Sequence, residues 1–319
     1  MVAVLLRRKH KQFVRYCSHE YSIKISQQSG HCRIPYGTAC SPTVSAPQKS
    51  KKVHATSAGC LLILREFFKT DYRGIEAIIR DSRDLRTILE LRDETPHFST
   101  IQKAAHRIKT HELDALMRGF LDCAVRMKIL KKNIALSAID GTGFETRHIS
   151  SYFVRRRAKG EPNIYQTTMY TRYPKAGIIT DCRTHCVLAV VPERGAGPDV
   201  KHFKRAVHEA EKNSHLRILV ADAGYDGEAS HVFARQKGIR TIIPARIGRP
   251  STTLPKGKWR KIMATRFNKK LYGQRWQVET VNSMVKRVLG SALRARSYWS
   301  QCRELMVRFL THNVMILRI

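Results

Sequence analysis

The sequence predicts an α/β protein: a mixed sheet with flanking helices, preceded by a small helical subdomain. Three observations carry this. Apolar residues recur at helical spacing from residue 58 to about 131. From residue 132 short apolar segments alternate with helices, in the order three strands, helix, strand, helix, strand, helix. Apolar residues make up 42% of the 319-residue chain, enough for a real core.

The elements follow in order. Residues 1–53 hold ten Lys/Arg against one acid, Glu20, with no sustained period, and read as a flexible basic arm. In 58–131, Leu61, Leu62, Leu64, Phe67 and Phe68 cluster near one helical face, and Ile75, Ile78, Ile79, Leu85, Ile88 and Leu89 continue the pattern. Thr95-Pro96-His97-Phe98-Ser99-Thr100 interrupts it, with Ser99 or Thr100 available to cap a new helix through Arg107. A basic helical bundle of this kind reads equally well as a DNA-end reader or as a packing subdomain.

Residues 132–319 form the second domain. Ile134 to Asp140 is a short apolar strand ending in an acid. Lys175–Asp181 and Cys186–Val191 read as two strands joined by a turn at Arg183-Thr184-His185. Asp199 is placed to cap a helix through Asn213. Arg217–Asp222 and Arg240–Pro244 are strands around a helix over Gly227–Lys237. After a basic connection, one long helix runs from near Lys270 to Leu289, and a last helix covers Gln301–Leu317 and is mostly core.

Charge narrows the function. There are 59 Lys+Arg against 25 Asp+Glu, a net charge of +34. Such a field points to a polyanionic partner and away from a small-molecule enzyme. No apolar run approaches the roughly 20 residues that span a bilayer, so no membrane is expected. Eight scattered Cys form no disulfide framework, and with the basic charge they point to a reduced cytoplasmic, nucleoid-associated protein.

Two acids stand where strands meet the sheet rim: Asp140 in Ile139-Asp140-Gly141-Thr142-Gly143, and Asp222 in Val220-Ala221-Asp222-Ala223-Gly224. The long helix supplies the third group. At about 100° per residue, Tyr272, Arg275, Glu279, Ser283 and Lys286 share one stripe roughly 20 Å long. Val278, Val281, Met284, Val285, Val288 and Leu289 fall on the opposite, buried side. Glu279 is one of two acids between Arg240 and Ile319, against 18 Lys/Arg. Its bland reading is a counter-ion. Three carboxylates at one rim suit Mg²⁺, or Mn²⁺ as substitute. Two such ions about 4 Å apart can drive phosphodiester cleavage.

Tyr272-x2-Arg275-x3-Glu279-x6-Lys286 resembles the Tyr–Arg–Glu–Lys signature of bacterial and archaeal insertion-sequence transposases, of the DDE group on the RNase H-like fold. Asp140-Gly141-Thr142-Gly143 and Ala221-Asp222-Ala223-Gly224-Tyr225-Asp226 resemble the group's two Asp motifs, Gly197-Pro198-Asp199 the segment before the second Asp, and residues 95–100 a motif of its N-terminal helical region. The resemblance covers about 60–315 and leaves 1–53 unmatched. It implies an RNase H-like catalytic domain over 132–319 and an enzyme that binds its element's terminal inverted repeats, cuts the ends and joins them to target DNA. Asp140, Asp222 and Glu279 would then hold two Mg²⁺, and Tyr272, Arg275 and Lys286 would grip phosphates. A homodimer on paired ends is implied. Asp222 and Glu279 are 57 residues apart, which leaves room for only a small insertion before the Glu. The alternatives are a nuclease of the same fold or a catalytically inactive DNA-binding remnant.

Other groups read as structural. Cys182, His185 and Cys186 lack a second ligand pair for zinc. Asp199 and Asp226 read as N-caps, His202 and His231 as surface or core residues, and Trp276 and Trp299 as packed residues or base-stacking platforms. Arg155-Arg156-Arg157 and Lys256, Lys258, Arg260 and Lys261 read as phosphate contacts or solvated charge.

Overall fold

The computed structural model describes residues 55–89, 91, 95–146, 173–195, 197–245 and 253–317. The basic arm and the Arg155–Arg157 run lie outside them.

Five helices come first: α1 (Ala55–Phe67), α2 (Tyr72–Asp81), α3 (Arg83–Ile88), α4 (Phe98–Arg107) and α5 (Thr110–Arg126). Local caps fix their starts. The Asp71 carboxylate accepts from Gly74 N at 2.7 Å and the Ser82 hydroxyl from Leu85 N at 3.3 Å. Helix α4 is capped by His97, whose Nδ1 accepts from Ser99 N at 3.3 Å, so Ser99 and Thr100 lie inside the helix. The backbone of His97 is extended after Pro96 (φ −57°, ψ 147°), and this sets the imidazole over the first turn.

The sheet follows: β1 (Asn133–Ile134), β2 (Ser137–Gly143), β3 (Glu145–Thr146), β4 (Pro174–Asp181), β5 (Val187–Arg194), α6 (Val200–Asn213), β6 (His215–Leu216), β7 (Ile218–Ala221), α7 (Glu228–Gln236) and β8 (Arg240–Ile242). The main sheet has five strands in the order β5-β4-β2-β7-β8. Strands β2, β4 and β5 pair antiparallel, as a buried meander. Strands β7 and β8 add in parallel on the other side of β2. Counted among these five strands alone the order is 3-2-1-4-5, and with helices flanking the mixed sheet this is the RNase H-like arrangement that the resemblance implied. The pairs β1–β6 and β3–β9 (β9, Ala292–Leu293) form small parallel ladders.

The C-terminal region comprises α8 (Lys258–Thr265), α9 (Lys269–Tyr272), α10 (Trp276–Leu289), β9 (Ala292–Leu293) and α11 (Tyr298–Ile316). The single long helix expected from Lys270 is therefore divided. A 3-10 turn over Gly273–Arg275 separates α9 from α10. Glycine weakens the helix there, and at about three residues per turn the tighter turn keeps Arg275 in line with Tyr272. Its ring packs on Phe267, with centroids 5.0 Å apart.

Helix α10 buries Val278, Val281, Val285 and Leu289. Val288 is 43% exposed and Met284 is only partly covered. Both were expected inside. The buried stripe centres on Val278 and Val285, and the other two lie on its edge. One continuous apolar cluster runs from Cys60 in α1 through the sheet to Leu310 in α11. No helix among the described residues is long and apolar enough to cross a membrane.

Candidate active site

The register of the sheet brings the two aspartates together. Strands β2 and β7 pair in parallel up to Ile139↔Ala221. The next residues are Asp140 and Asp222, so both acids emerge side by side where the parallel ladder stops. Asp140 does not end its strand, contrary to expectation. Strand β2 continues antiparallel to β4 as far as Gly143, because β4 supplies partners to Lys175. Asp140 is thus held in a regular strand, while Asp222 leads into a 3-10 turn over Ala223–Tyr225.

Helix α10 faces them. Asp140, Thr142, Glu279, Asn282, Ser283, Lys286 and Arg287 line an open cleft of about 350 Å³. The Asn282 side chain donates to Asp140 Oδ2 at 3.1 Å. Sequence reading passed over Asn282, which is 7% exposed. The helical period held a signal for it: Asn282 falls between the apolar stripe and Glu279, where a polar side chain is buried and must find a partner. Its Oδ1 is buried with no hydrogen-bond partner.

Glu279 is exposed, and its Oε1 pairs with Arg275 Nη2 at 2.6 Å. Burial disfavours the Arg275 charge, yet the Glu279 carboxylate outweighs it and raises the guanidinium above its ordinary range. Burial pushes the Asp140 carboxyl up to about 6; the Gly141 amide and Arg275 counter it, and Asp199 and Glu279 add like charge. Burial lowers the Lys286 ammonium, against the attraction of Asp140 and Glu145. Lys286 Nζ stands 5.4 Å from the Phe144 ring centroid. Of the expected residues, Asp140, Glu279 and Lys286 share the cleft. Arg275 joins through its ion pair, Asp222 through the register, and Tyr272 adjoins Arg275, whose charge it favours.

The donor chemistry fits a hard divalent cation: Asp140 and Asp222 are oxygen donors, Asp140 is held short of its ordinary ionisation, and Asn282 leaves an acceptor unmatched. The set is not closed. Among the described residues no three His, Cys, Asp or Glu groups converge tightly enough to hold a metal ion, and Glu279 is turned to Arg275.

The remaining candidates resolve physically. Cys182 and Cys186 are buried thiols, pushed up to about 12 and about 11 chiefly by burial, which suits packing. His202 and His231 are both core residues. Asp226 is not an N-cap; Gly227 holds that position in α7. The Asp226 side chain is buried and receives Arg260 Nε at 3.0 Å and Nη2 at 2.7 Å, so Arg260 is committed to an ion pair as well. Trp276 and Trp299 are 52% and 67% exposed. Asp199 makes no capping bond and lies beside the aspartate pair.

A family model described as "Transposase DDE domain" matches residues 132–314. No curated protein sequence matches the chain. Among solved structures, a chain from the "Crystal structure of a pre-cleavage Mos1 transpososome" aligns over 96% of both chains at 8% identity. Its TM-score of 0.22 is too low to inform the site. The family match spans more than half of the sequence and contains Asp140, Asp222 and the helix carrying Glu279, so the chain belongs to the transposase DDE domain family.

Proposed function

We propose that the protein is an insertion-sequence transposase that binds the terminal inverted repeats of its own element, cleaves the DNA ends with a divalent metal and transfers them to target DNA. One observation carries the reading. Asp140 and Asp222 leave the parallel ladder side by side, and α10 presents Glu279 across an open cleft rimmed by cations. Asp140, Asp222 and Glu279 would hold Mg²⁺, as two ions, with Mn²⁺ as substitute. The bound metal supplies Lewis acidity and an activated hydroxyl for phosphodiester attack.

The chain's own residues prepare that site. Asn282 holds the Asp140 carboxylate by one oxygen. Arg275 balances Glu279 in the resting state and is freed for a phosphate when Glu279 turns inward. Lys286, partly buried on Phe144, keeps an ammonium at the cleft wall for a second phosphate. Tyr272, at the end of α9, is the outer member of the Tyr–Arg–Glu–Lys set and is assigned to the flanking backbone. The domain over 132–319 is the catalytic unit and helices within 58–131 are candidates for end recognition. The +34 charge favours DNA over the whole surface, and the working unit is a homodimer on paired ends in the prokaryotic cytoplasm.

The test is a labelled terminal-repeat duplex incubated with Mg²⁺. Wild type should nick the ends and yield joined products, while Asp140→Ala and Glu279→Ala should fall to background. Cleavage that persists in either variant would falsify the assignment. Cleavage without joined products would make the protein a nuclease of this fold.

A further inference from the structure

Asp199 stands at the start of α6 in helical backbone (φ −62°, ψ −28°). Its Oδ1 pairs with the Lys175 ammonium. A Cβ placed on Gly141 would lie 2.5 Å from that oxygen and 2.9 Å from Lys175 Cε. A Cβ on Gly224 would lie 3.9 Å from Asp199 Oδ2. One carboxylate therefore presses on the residue after Asp140 and faces the second residue after Asp222. The Gly141 amide in turn favours the charged form of the Asp140 carboxylate. Lys175 is 7% exposed, and its ammonium also donates to Gly197 O at 3.0 Å. Both charges are tied to the segment entering α6.

The close approach has a cause in the sheet. Gly141 and Gly177 are register partners across β2 and β4. Partners in a ladder point to the same face, so the pair clears one spot of side chains. The first turn of α6 fills it. A Cβ on Gly177 would lie 2.2 Å from His202 Cδ2, three residues after Asp199. His202 is held at Nδ1 by Glu193 Oε2 (3.1 Å) and at Nε2 by Tyr225 Oη (2.7 Å). Tyr225 follows Gly224, so α6 is fastened to both aspartate segments.

We propose that Asp199, fixed by Lys175, is a positioning residue for the carboxylate site: it holds the Gly141 and Gly224 backbone and so sets how Asp140 and Asp222 face a divalent cation. The inference rests on the metal-dependent reading above. Groups that orient metal ligands are commonly worth about 10–100-fold in affinity.

The experiment uses the full chain and Mn²⁺ alone, with free Mn²⁺ read by electron paramagnetic resonance and metal-free melting measured in parallel. Asp199→Asn should weaken Mn²⁺ binding about 10–100-fold. It should also lower the melting temperature, because it leaves the Lys175 ammonium buried without a counter-charge. The double variant Lys175→Met/Asp199→Asn should recover melting but not affinity. Gly141→Ala should weaken binding with both charges intact. Wild-type affinity in Asp199→Asn or in the double variant overturns the proposal, and so does an affinity that merely tracks melting across the set. Asp140→Asn separates the two levels. If it binds Mn²⁺ as wild type does, the metal-site reading itself is lost; if it does not, failure at Asp199 sinks only the positioning role.

Discussion

Two groups of acids occupy this fold, and their partners differ. Glu66 in α1 and Glu304 in α11 are buried among arginines. Arg308 Nη2 lies 3.2 Å from Glu66 and 3.0 Å from Glu304, and Arg65 pairs with Glu66. Glu304 also accepts from the amides of Arg294 (2.9 Å) and Ala295 (2.8 Å). Arg308 Nη1 reaches Gly290 O at 2.8 Å, and the Arg294 side chain donates to Lys69 O and Thr70 O. Every carboxylate there is answered by an arginine, and the network ties α1, α11 and the β9 segment together. At the sheet rim, by contrast, Asp140, Asp222, Asp199 and Glu279 gather around Lys175 and Arg275. Among the described residues only Asp199 and Glu279 of these four are ion-paired; Asp140 has Lys286 and Arg287 along the same cleft but no salt bridge, in a chain whose net charge is +34. A balanced buried network is architecture. An unbalanced rim in a strongly basic protein is a place prepared for a cation from outside.

The widest gap between the two regions should appear on truncation. Arg308→Ala leaves the buried Glu304 carboxylate without its arginine and Glu66 with Arg65 alone. We expect a loss of about 3–5 kcal/mol in urea unfolding. Glu279→Ala, at an exposed position, should change stability by less than about 0.5 kcal/mol while removing cleavage. Equal stability losses would erase the distinction.

Asn282 gives a finer probe, because it is structural in burial and functional in contact. Asn282→Ala removes the bond to Asp140 Oδ2 and leaves the helix face otherwise intact. Mn²⁺ affinity should fall about 10–100-fold. Asn282→Asp keeps the shape and adds a carboxylate donor beside Asp140, and should bind Mn²⁺ better than Asn282→Ala. Wild-type affinity in Asn282→Ala would confine this residue to packing.

The sequence carried the rim more completely than the network. Asp140, Asp222 and Glu279 stand out because each carries a local signal: an apolar strand before it, a glycine after it, or isolation in a basic stretch. The order of elements along the chain follows from the same alternation, whereas the order of strands within the sheet does not. Partners that depend on long-range register stay hidden. Asp199 looks like an N-cap until β2 and β4 align Gly141 with Gly177 and open the space it fills. Glu66 meets Arg308 across 242 positions, and no periodicity reports that. The break at Gly273 is a third case. Propensity marks the glycine as weak, but only packing decides between a bend and a 3-10 turn.

The unbalanced rim should also be visible without substrate. The folded-state carboxyl of Asp140 is raised to about 6, above the unfolded value of about 3.9. Its ionisation therefore costs folding stability above about pH 6, and the cost disappears as pH falls toward 4. Asp140→Asn should then raise the metal-free melting temperature at pH 8 by a few degrees and change little at pH 4.5. Added Mg²⁺ should stabilise wild type at pH 8 and leave Asp140→Asn unmoved. A variant that melts below wild type at pH 8 would show that the rim is satisfied as it stands.

The smallest effect lies away from both regions and has the opposite sign. His231 and His312 are buried, and burial lowers both below the ordinary histidine range. His231 meets Thr241 Oγ1 at 2.7 Å, and His312 meets His185 O at 3.1 Å, so each is placed as a neutral ring. In the unfolded chain both protonate near pH 6.5. Below that value the unfolded state binds more protons, and folding stability falls as pH drops toward the folded-state values. Each ring contributes at most about 1.4 kcal/mol per pH unit in that window. His312→Gln should flatten the acid side of the stability curve while leaving Mn²⁺ affinity unchanged. In Asp140→Asn the acid-side fall should steepen, because the gain from protonating Asp140 no longer offsets it. A curve in which His312→Gln shifts metal affinity would mean that the core behind β5 and the rim are coupled, and the two regions would have to be treated as one.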